Sequence, residues 1–362
     1  MNGQRSGIIG AGFIGEVHAR AVRSAGGVLV AVADATPEGA IKARDRLGAQ
    51  RAARSAEELI SADDIDVVHI CTPNHLHAEL ALKVLAAGKH VICEKPLATD
   101  VASAQQLVQA AADAGTVAAV PFIYRFYSAV REARGRIARG DTGPLRLLHG
   151  SYLQDWLSNV QDNNWRVDPK LGGSSRAFGD IGVHWCDLVE FATGHRIARL
   201  SARMLTAHPE RAAANETTAV STEDVATVLF DTDQGALGSV VVSQVSHGRK
   251  NRLWLSIDGT QSSVSFDQEL PDSLWVGQQL HNLTVMRGSA DTTSEAQRFN
   301  VLPPGHPQGY QDCFNAFVAD VYAAVDGDVP DGLPTFADGY RAAVLTAAVL
   351  ESARTDSWVT VL

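Results

Sequence analysis

Cysteine is scarce in this 362-residue chain: Cys71, Cys93, Cys186 and Cys313 are scattered, and no two form a C-x-x-C. Cys71 and Cys93 end apolar runs, where a reduced thiol behaves as a small hydrophobe, so the expected compartment is reducing. No segment offers the 18 or more apolar residues of a membrane span. The opening Met-Asn-Gly-Gln-Arg-Ser leads straight into an apolar run, leaving no room for a secretory signal, and the expected location is the cytoplasm. Positive charge is also lacking. A formal net charge of −10 and a pI near 5.6 give no general affinity for nucleic acid or an anionic membrane. Internal repeats and low-complexity linkers are missing too, so any domains should pack tightly. There is no G-x-S-x-G elbow of a hydrolase, and no Walker lysine follows the glycines. His75 with His77, or His184 with Cys186, lacks a third ligand at a recognisable spacing, so no metal site is expected.

What is present is a folded composition, 45% hydrophobic and 20% charged, long enough for two domains and a large core. The most informative stretch is Gly7-Ile8-Ile9-Gly10-Ala11-Gly12-Phe13-Ile14-Gly15. Gly10, Gly12 and Gly15 follow the G-x-G-x-x-G spacing, which needs one glycine for a tight turn, one for approach to a pyrophosphate and one for close helix packing. The next helix then directs its positive end at the phosphates. Val28–Ala33 reads as the following buried strand, and Asp34 ends it nineteen positions after Gly15. An acid at that distance suits the ribose hydroxyls of NAD. Ala35 and Thr36 follow with no adjacent basic residue, which favours NAD over NADP.

Residues 6 to about 122 alternate strand-like and helix-like patterns, the signature of a parallel sheet covered on both sides. Pro37 opens a helix expected to run to Leu47. The run from Asp66 to Thr72 is a strand entering a turn at Pro73, and Asn74-His75-Leu76-His77 opens another helix. His90–Cys93 is a strand that delivers Glu94-Lys95-Pro96 at its carboxyl end, the edge where open α/β sheets bind ligands. Val117–Val120 is the last strand of this half. From Tyr124 the pattern changes. A charged helix, Ser128–Arg139, precedes β-like stretches at 145–153, 198–204, 225–230, 236–245, 252–258 and 262–266, and helices return at 309–325 and 336–353. So many strands without intervening helices imply a largely antiparallel sheet with one face packed and one open. An open face invites a second copy, so a homodimer or homotetramer through that sheet is expected. The fold class is therefore α/β, with domains at 1–123 and 124–362 and a C-terminal helix able to pack back on the first.

A second chemical centre lies in Asp180-Ile181-Gly182-Val183-His184-Trp185-Cys186-Asp187. On an α-helical wheel of about 100° per residue, Asp180, His184 and Asp187 form a polar strip beside an apolar face. On the wheel alone, an ordinary solvated helix side with a capping Asp is the favoured reading. Taken in order, Gly10-Ala11-Gly12-Phe13-Ile14-Gly15 with Asp34, Thr72-Pro73-Asn74, Glu94-Lys95-Pro96, Tyr124-Arg125-Phe126, Asp180 to His184 with Asp187, and the closing Leu333 to Gly339 resemble the motifs of the Gfo/Idh/MocA oxidoreductases. The resemblance reaches from residue 7 to beyond 350. It implies an N-terminal Rossmann domain, a C-terminal α/β domain with a large open sheet, and NAD(P)-dependent redox chemistry on sugars, inositols or related polyols.

Carried over residue by residue, the resemblance assigns Lys95, Asp180 and His184 to catalysis. Phe13, Ile14, Thr72, Pro73, Asn74, His77 and Glu94 join the glycines, Asp34 and Lys95 around the cofactor, with His77 on the nicotinamide side. Oxidising a secondary alcohol sends a hydride to the nicotinamide and a proton to a base, a role that an imidazole fills near neutral pH. Lys95 can donate to the reacting oxygen as negative charge develops on it. Asp180 orients the imidazole or binds a neighbouring hydroxyl. Many members carry three glycines four residues before the Asp, whereas here Gly172-Gly173 leads into the longer, polar Ser174 to Gly179. Arg176 in that loop either binds substrate or pairs with a surface acid. Tyr124, Arg125, Asp155, Trp156, Trp165, Arg166 and Tyr310 complete an expected sugar pocket, with aromatic faces on C–H surfaces and polar groups on hydroxyls. Core packing is the competing reading of the tryptophans. Two other functions remain open: glycoside cleavage through transient oxidation by bound NAD, and a non-catalytic NAD sensor.

Overall fold

The structure, a computed structural model, describes residues 3–213, 216–290 and 292–361. Its contacts divide the chain into two compact units, Met1–Ile123 with Tyr310–Ala343, and Tyr124–Gly309 with Val344–Leu362. Among the described residues no helix is long and apolar enough to cross a membrane.

In the first unit, β1 (Arg5–Ile9), α1 (Phe13–Ser24), β2 (Val28–Ala33), α2 (Pro37–Leu47), β3 (Arg51–Ala52), α3 (Ala56–Ser61), β4 (Val67–Ile70), α4 (His77–Ala86), β5 (His90–Cys93), α5 (Val101–Ala114) and β6 (Ala118–Ala119) alternate as the sequence pattern requires. The described strands form a parallel sheet in the order β3-β2-β1-β4-β5-β6. The order turns back between β1 and β4, and the crevice outside the strand ends at such a reversal is where this architecture takes its ligand. Ile8, Val32, Val68, Ile70 and Val91 are wholly buried, so the strands are covered on both faces. Helix starts are marked locally. Thr36 accepts the Gly39 N–H at 3.0 Å and Asp100 accepts the Ser103 N–H at 2.8 Å, each supplying a partner to a helix-end donor.

The helix Tyr310–Val325 belongs to this unit, although the sequence pattern groups it with everything after residue 124. Phe314, Phe317, Val318 and Val321 bury its apolar side, Gln311 donates to the Val17 carbonyl at 3.1 Å, and the Tyr322 hydroxyl meets Ser6 Oγ at 2.6 Å. Amphipathicity reveals that such a helix has a buried face but not which surface covers it.

The second unit contains α6 (Ser128–Ala138), β7 (Leu145–Leu153), the short α7 (Pro169–Gly172), α8 (Val183–Thr193), β8 (Ile197–Leu205), the hairpin β9 (Glu210–Ala213) and β10 (Glu216–Ala219), β11 (Val225–Thr232), β12 (Leu237–Ser243), β13 (Arg252–Gly259), β14 (Ser263–Asp267), β15 (Ser273–Gly277), β16 (Asn282–Met286) and β17 (Val359–Thr360). The described strands outside the hairpin make a sheet ordered β16-β15-β14-β13-β7-β12-β11-β8-β17, antiparallel except where β12 runs parallel to β7. Along β11, Ala226, Val228 and Phe230 are buried while Leu229 is 56% exposed. Leu237, Leu147 and Val241 are likewise exposed, and Leu237 lies directly opposite Leu147. One face of the sheet is thus packed, and the other displays apolar side chains.

Candidate active site

The glycine loop between β1 and α1 shows a separate physical reason for each glycine. Gly10 has φ +94°, and a Cβ there would stand 2.6 Å from the Cys71 carbonyl oxygen, so the turn excludes any side chain. A Cβ at Gly15 would strike the Gly10 carbonyl, which explains close packing of α1 on the loop. At Gly12 a Cβ would meet nothing within 4 Å. No protein contact demands that glycine; a ligand lying against the loop backbone does. Gly12 also caps α1 without a side-chain partner for the first helical N–H groups, which leaves a donor end suited to a pyrophosphate. Beside it Phe13 is 73% exposed, an unusual position for a large apolar side chain, while Ile14 is half-buried.

Asp34 is half-buried at the end of β2, one residue after the Ala33 carbonyl that accepts the Gly10 N–H at 2.9 Å. The strand pairing itself sets acid and glycine loop side by side. Across the loop the backbone at Cys71 and Thr72 crowds Gly10, and the buried Thr72 Oγ1 has no hydrogen-bond partner. Pro73 and Asn74 are half-buried where a turn of 3-10 helix, Asn74–Leu76, begins. An open glycine, an uncapped helix end, a strand-end acid and an orphaned hydroxyl on one crevice fit NAD. Arg46, which sequence reasoning overlooked, reaches from α2 to the Ala11 carbonyl and to Glu16 Oε1 at 2.8 Å, and so braces the loop from behind.

His77 is buried, with Nδ1 2.8 Å from the Pro96 carbonyl and Nε2 2.9 Å from the Thr72 carbonyl. Both ring nitrogens lie against backbone carbonyls, so the ring ties the Thr72 loop to the Glu94-Lys95-Pro96 loop. Burial holds its pKa below the ordinary value against the pull of those carbonyls.

Glu94 is buried as well. One carboxylate oxygen lies 3.2 Å from His18 Nε2, the other accepts the Lys95 backbone N–H at 3.1 Å, and His18 Nδ1 meets His69 Nδ1 at 2.9 Å. Burial, with His18 beside it, pushes His69 well below its usual pKa. The pair therefore fixes Glu94, and Glu94 fixes the backbone of the half-buried Lys95. His18 sits on α1, three residues past the last motif glycine, and no periodic signal marked it.

In the second unit Asp180 lies in a π-helical turn, Phe178–Gly182, and α8 starts only at Val183. The extra residue in that turn makes an α-helical wheel misplace Asp180 relative to His184. The strip is also no solvated edge. His184 is 8% exposed, its ring edge-on to Tyr124 at 5.1 Å and near Tyr152 at 6.4 Å. The Tyr124 and Tyr152 hydroxyls bond each other, and Tyr152 also donates to Asn251 Oδ1 at 2.8 Å. Asp187 is held by both arms of Arg125, whose guanidinium lies over the Phe191 ring at 4.9 Å. Arg125 and Asp187 thus serve each other.

Arg176 is the clearest correction. Its side chain is fully buried on Asp224, itself shared with Arg211, and it is not a pocket or surface group. Glu223, beside Asp224, accepts from Ser175 Oγ at 2.7 Å, from the Phe178 N–H at 2.9 Å and from the Arg176 N–H, closing the start of the π turn. The polar loop between Gly173 and Gly179 is therefore polar inward. Asp155 takes Lys250 Nζ at 2.6 Å, and that hydrogen bond holds its pKa below the usual carboxylate value. Trp156 packs on the cluster of Leu157, Val167 and Val220, as the packing reading of the tryptophans supposed, and its indole N–H goes to Gln154. Arg166 stacks on Trp165 at 4.4 Å, with Nε 3.6 Å from Asp180 Oδ1. Tyr310 lies in the first unit with its ring on Phe314 at 5.1 Å, so it does not share a unit with these residues.

Comparison with known proteins agrees with this architecture. Residues 4–122 match the model of the GFO/IDH/MocA oxidoreductase family with its NAD-binding Rossmann fold, and residues 130–265 match the GFO/IDH/MocA C-terminal domain. Levoglucosan dehydrogenase of Pseudarthrobacter phenanthrenivorans is 33% identical, across 100% of this chain and 99% of that protein. A solved structure of a levoglucosan dehydrogenase in complex with NADH and levoglucosan superposes with TM-score 0.93 at 33% identity, over 99% of each chain. An oxidoreductase domain protein from Kribbella flavida gives TM-score 0.93 at 34% identity over 100% of each chain. An unfilled space at Gly12, a strand-end acid and full-length likeness to NADH-bound relatives leave one conclusion: the chain belongs to the Gfo/Idh/MocA oxidoreductases and is an NAD-dependent member.

Proposed function

We propose that this protein oxidises a secondary ring hydroxyl of an uncharged sugar, anhydrosugar, glycoside or cyclitol, with NAD as the acceptor. The observation that carries the choice of an uncharged substrate is the use of the arginines. Arg125 serves Asp187 and Arg166 faces Asp180, so both guanidinium groups of the candidate pocket are already matched by a carboxylate, and Arg176 is buried away from it on Asp224. A phosphate or carboxylate substrate wants a bidentate guanidinium not already paired in this way. Hydroxyl recognition needs only the carboxylates, amides and phenols that are present.

When bound, NAD supplies a carbon that accepts hydride. The chain supplies the rest. In this reading His184 takes the hydroxyl proton, in a setting walled by Tyr124 and Tyr152. Lys95, set by Glu94 at the end of β5, donates to the reacting oxygen as charge builds on it. Asp180 accepts from the imidazole or from a neighbouring hydroxyl. The exposed face of the large sheet, with Leu147, Leu229 and Leu237, supports assembly as a dimer or tetramer. A monomer by size-exclusion chromatography with light scattering at micromolar concentration would argue against that assembly. The deciding assay is NADH absorbance at 340 nm (the reporter wavelength for NADH) across hexoses, glycosides, inositols and levoglucosan, the last because it names the relative. Turnover with a neutral polyol is expected; turnover confined to sugar phosphates would reject the reading.

A further inference from the structure

We infer that Gln244 is a positioning residue for the reaction: anchored by the buried Arg176–Asp224–Arg211 cluster, its side-chain amide donates to Asp180 and holds that carboxyl oriented, with Oδ2 as an acceptor. The inference rests on the proposed place of Asp180 in the active site.

A guanidinium can only donate, so the oxygen of the Gln244 amide must face Arg176 Nη1, 3.4 Å away. The amide nitrogen then has one direction left. It lies 2.8 Å from Asp180 Oδ2 and 3.4 Å from Gln154 Oε1. A second donor-only group fixes the other end of the chain. The Trp156 indole N–H gives to Gln154 Oε1 at 2.8 Å, which turns the Gln154 nitrogen to Asn251 Oδ1 at 2.7 Å. Reversing Gln244 would set its NH2 against the guanidinium and its oxygen against Asp180. Gln244 and Asp224 are wholly buried, so water cannot relieve such a reversal.

Oδ2 of Asp180 is therefore obliged to accept, and a hydrogen bond donated to a carboxyl oxygen favours the charged form of the group. Charged and titratable groups around the pair include Arg166 on Asp180 and Arg176 on Gln244, with Asp224, Arg211 and Glu223 behind Arg176 and His184 four positions along the chain. Arg166 at 3.6 Å from Oδ1 acts in the same sense as Gln244. Either role of Asp180, steadying an imidazole N–H or binding a substrate hydroxyl, needs an acceptor. Gln244 ensures one by reaching over a separation of 64 residues.

The test uses Gln244→Met, which keeps volume without the amide, and Gln244→Glu, which sets a second carboxyl against Asp180 while still facing Arg176. Both should leave NADH affinity by fluorescence titration unchanged. Both should move the acid limb of the kcat/KM profile upward, by about one pH unit for Met and by more for Glu, so that kcat/KM falls by about tenfold on the acid side of the limb. Folded variants whose acid limb stays in place would overturn the inference. Failure of both to fold while Asp180→Asn folds would mark the amide as purely structural, which overturns it equally. A double-mutant cycle on Tm with Gln244→Met and Asp180→Asn reads the contact without turnover. If Asp180→Asn keeps full activity, the active-site reading falls; additive Tm changes in the cycle sink the contact itself.

Discussion

The two units build their candidate sites by different means. In the first, recognition is done by backbone: a turn at Gly10, an open face at Gly12, a helix end and one acid, all inside residues 10–34. In the second, the proposed site is framed by side chains brought together from distant parts of the chain. Arg176 meets Asp224 and Asp180 meets Gln244, 48 and 64 residues apart. A backbone site is a local conformation and can be written as a spacing. A side-chain site is a packing result, and its residues carry no common spacing.

Breaking the side-chain cluster should cost the most. Arg176→Met leaves Asp224 buried with only Arg211, and loss of one partner from such a cluster is worth about 3–5 kcal/mol, read as a large drop in Tm. The pH dependence follows. Burial pushes the Asp224 carboxyl up, but the Arg176 hydrogen bond and charge, with the His208 N–H and Arg211, outweigh it and hold the group below its ordinary value. The stabilisation is then complete above about pH 4 and is lost as pH falls through the depressed folded value. Wild-type and variant melting temperatures should converge only in acid.

Next in size, His184→Ala should lower kcat by about 10²-fold or more with NADH affinity unchanged, since imidazole and cofactor loop lie in different units. Wild-type turnover would remove His184 from the mechanism. Cofactor choice tests the backbone site in the same way. A 2′-phosphate would approach the Asp34 carboxylate, a like-charge contact worth a penalty of about 10²-fold in kcat/KM for NADP. Preference for NADP in initial rates would overturn the assignment, and Asp34→Ala should narrow the gap.

The smallest effects give the sharpest contrast. Gly10→Ala should lower Tm, because its Cβ meets the Cys71 carbonyl at 2.6 Å in a backbone of φ +94°. Gly12→Ala meets no protein atom within 4 Å and should leave Tm nearly unchanged, within about 0.5 kcal/mol, while weakening NADH binding by fluorescence titration. Equal losses of Tm in the two variants would mean that Gly12 is also kept for the fold.

Much of the architecture was legible. The helix from Pro37 to Leu47 and the strand from Leu145 to Leu153 have the bounds that their caps and alternation give. The short strands Ser273–Gly277 and Asn282–Met286 were missed, since five residues beside turn formers carry little periodicity. At the site, Gly10, Gly12, Gly15 and Asp34 were legible because each answers a local demand. Arg125 entered the expected pocket through the family resemblance, Asp155 through the polar and aromatic stretch around it, and Arg176 was left between a substrate and a surface acid; none of these signals reveals which charged group elsewhere is already paired with each. Glu223, Asp224 and Gln244 went unnoticed, though an acid pair opening one strand and a polar residue closing Val240 to Val242 were the signals available.

The family resemblance supplied the proposed lysine, imidazole and carboxylate; by itself the sequence determined the alternating first unit and the glycine turn with its acid. Those depend on backbone angles and on patterns that neighbouring residues impose on one another. Only the tertiary structure decided which charges are spent on each other, where the helix Tyr310–Val325 belongs, and which amide governs Asp180. These are contacts between residues dozens of positions apart, and burial, which excludes water as an alternative partner, is what makes each of them binding on the rest.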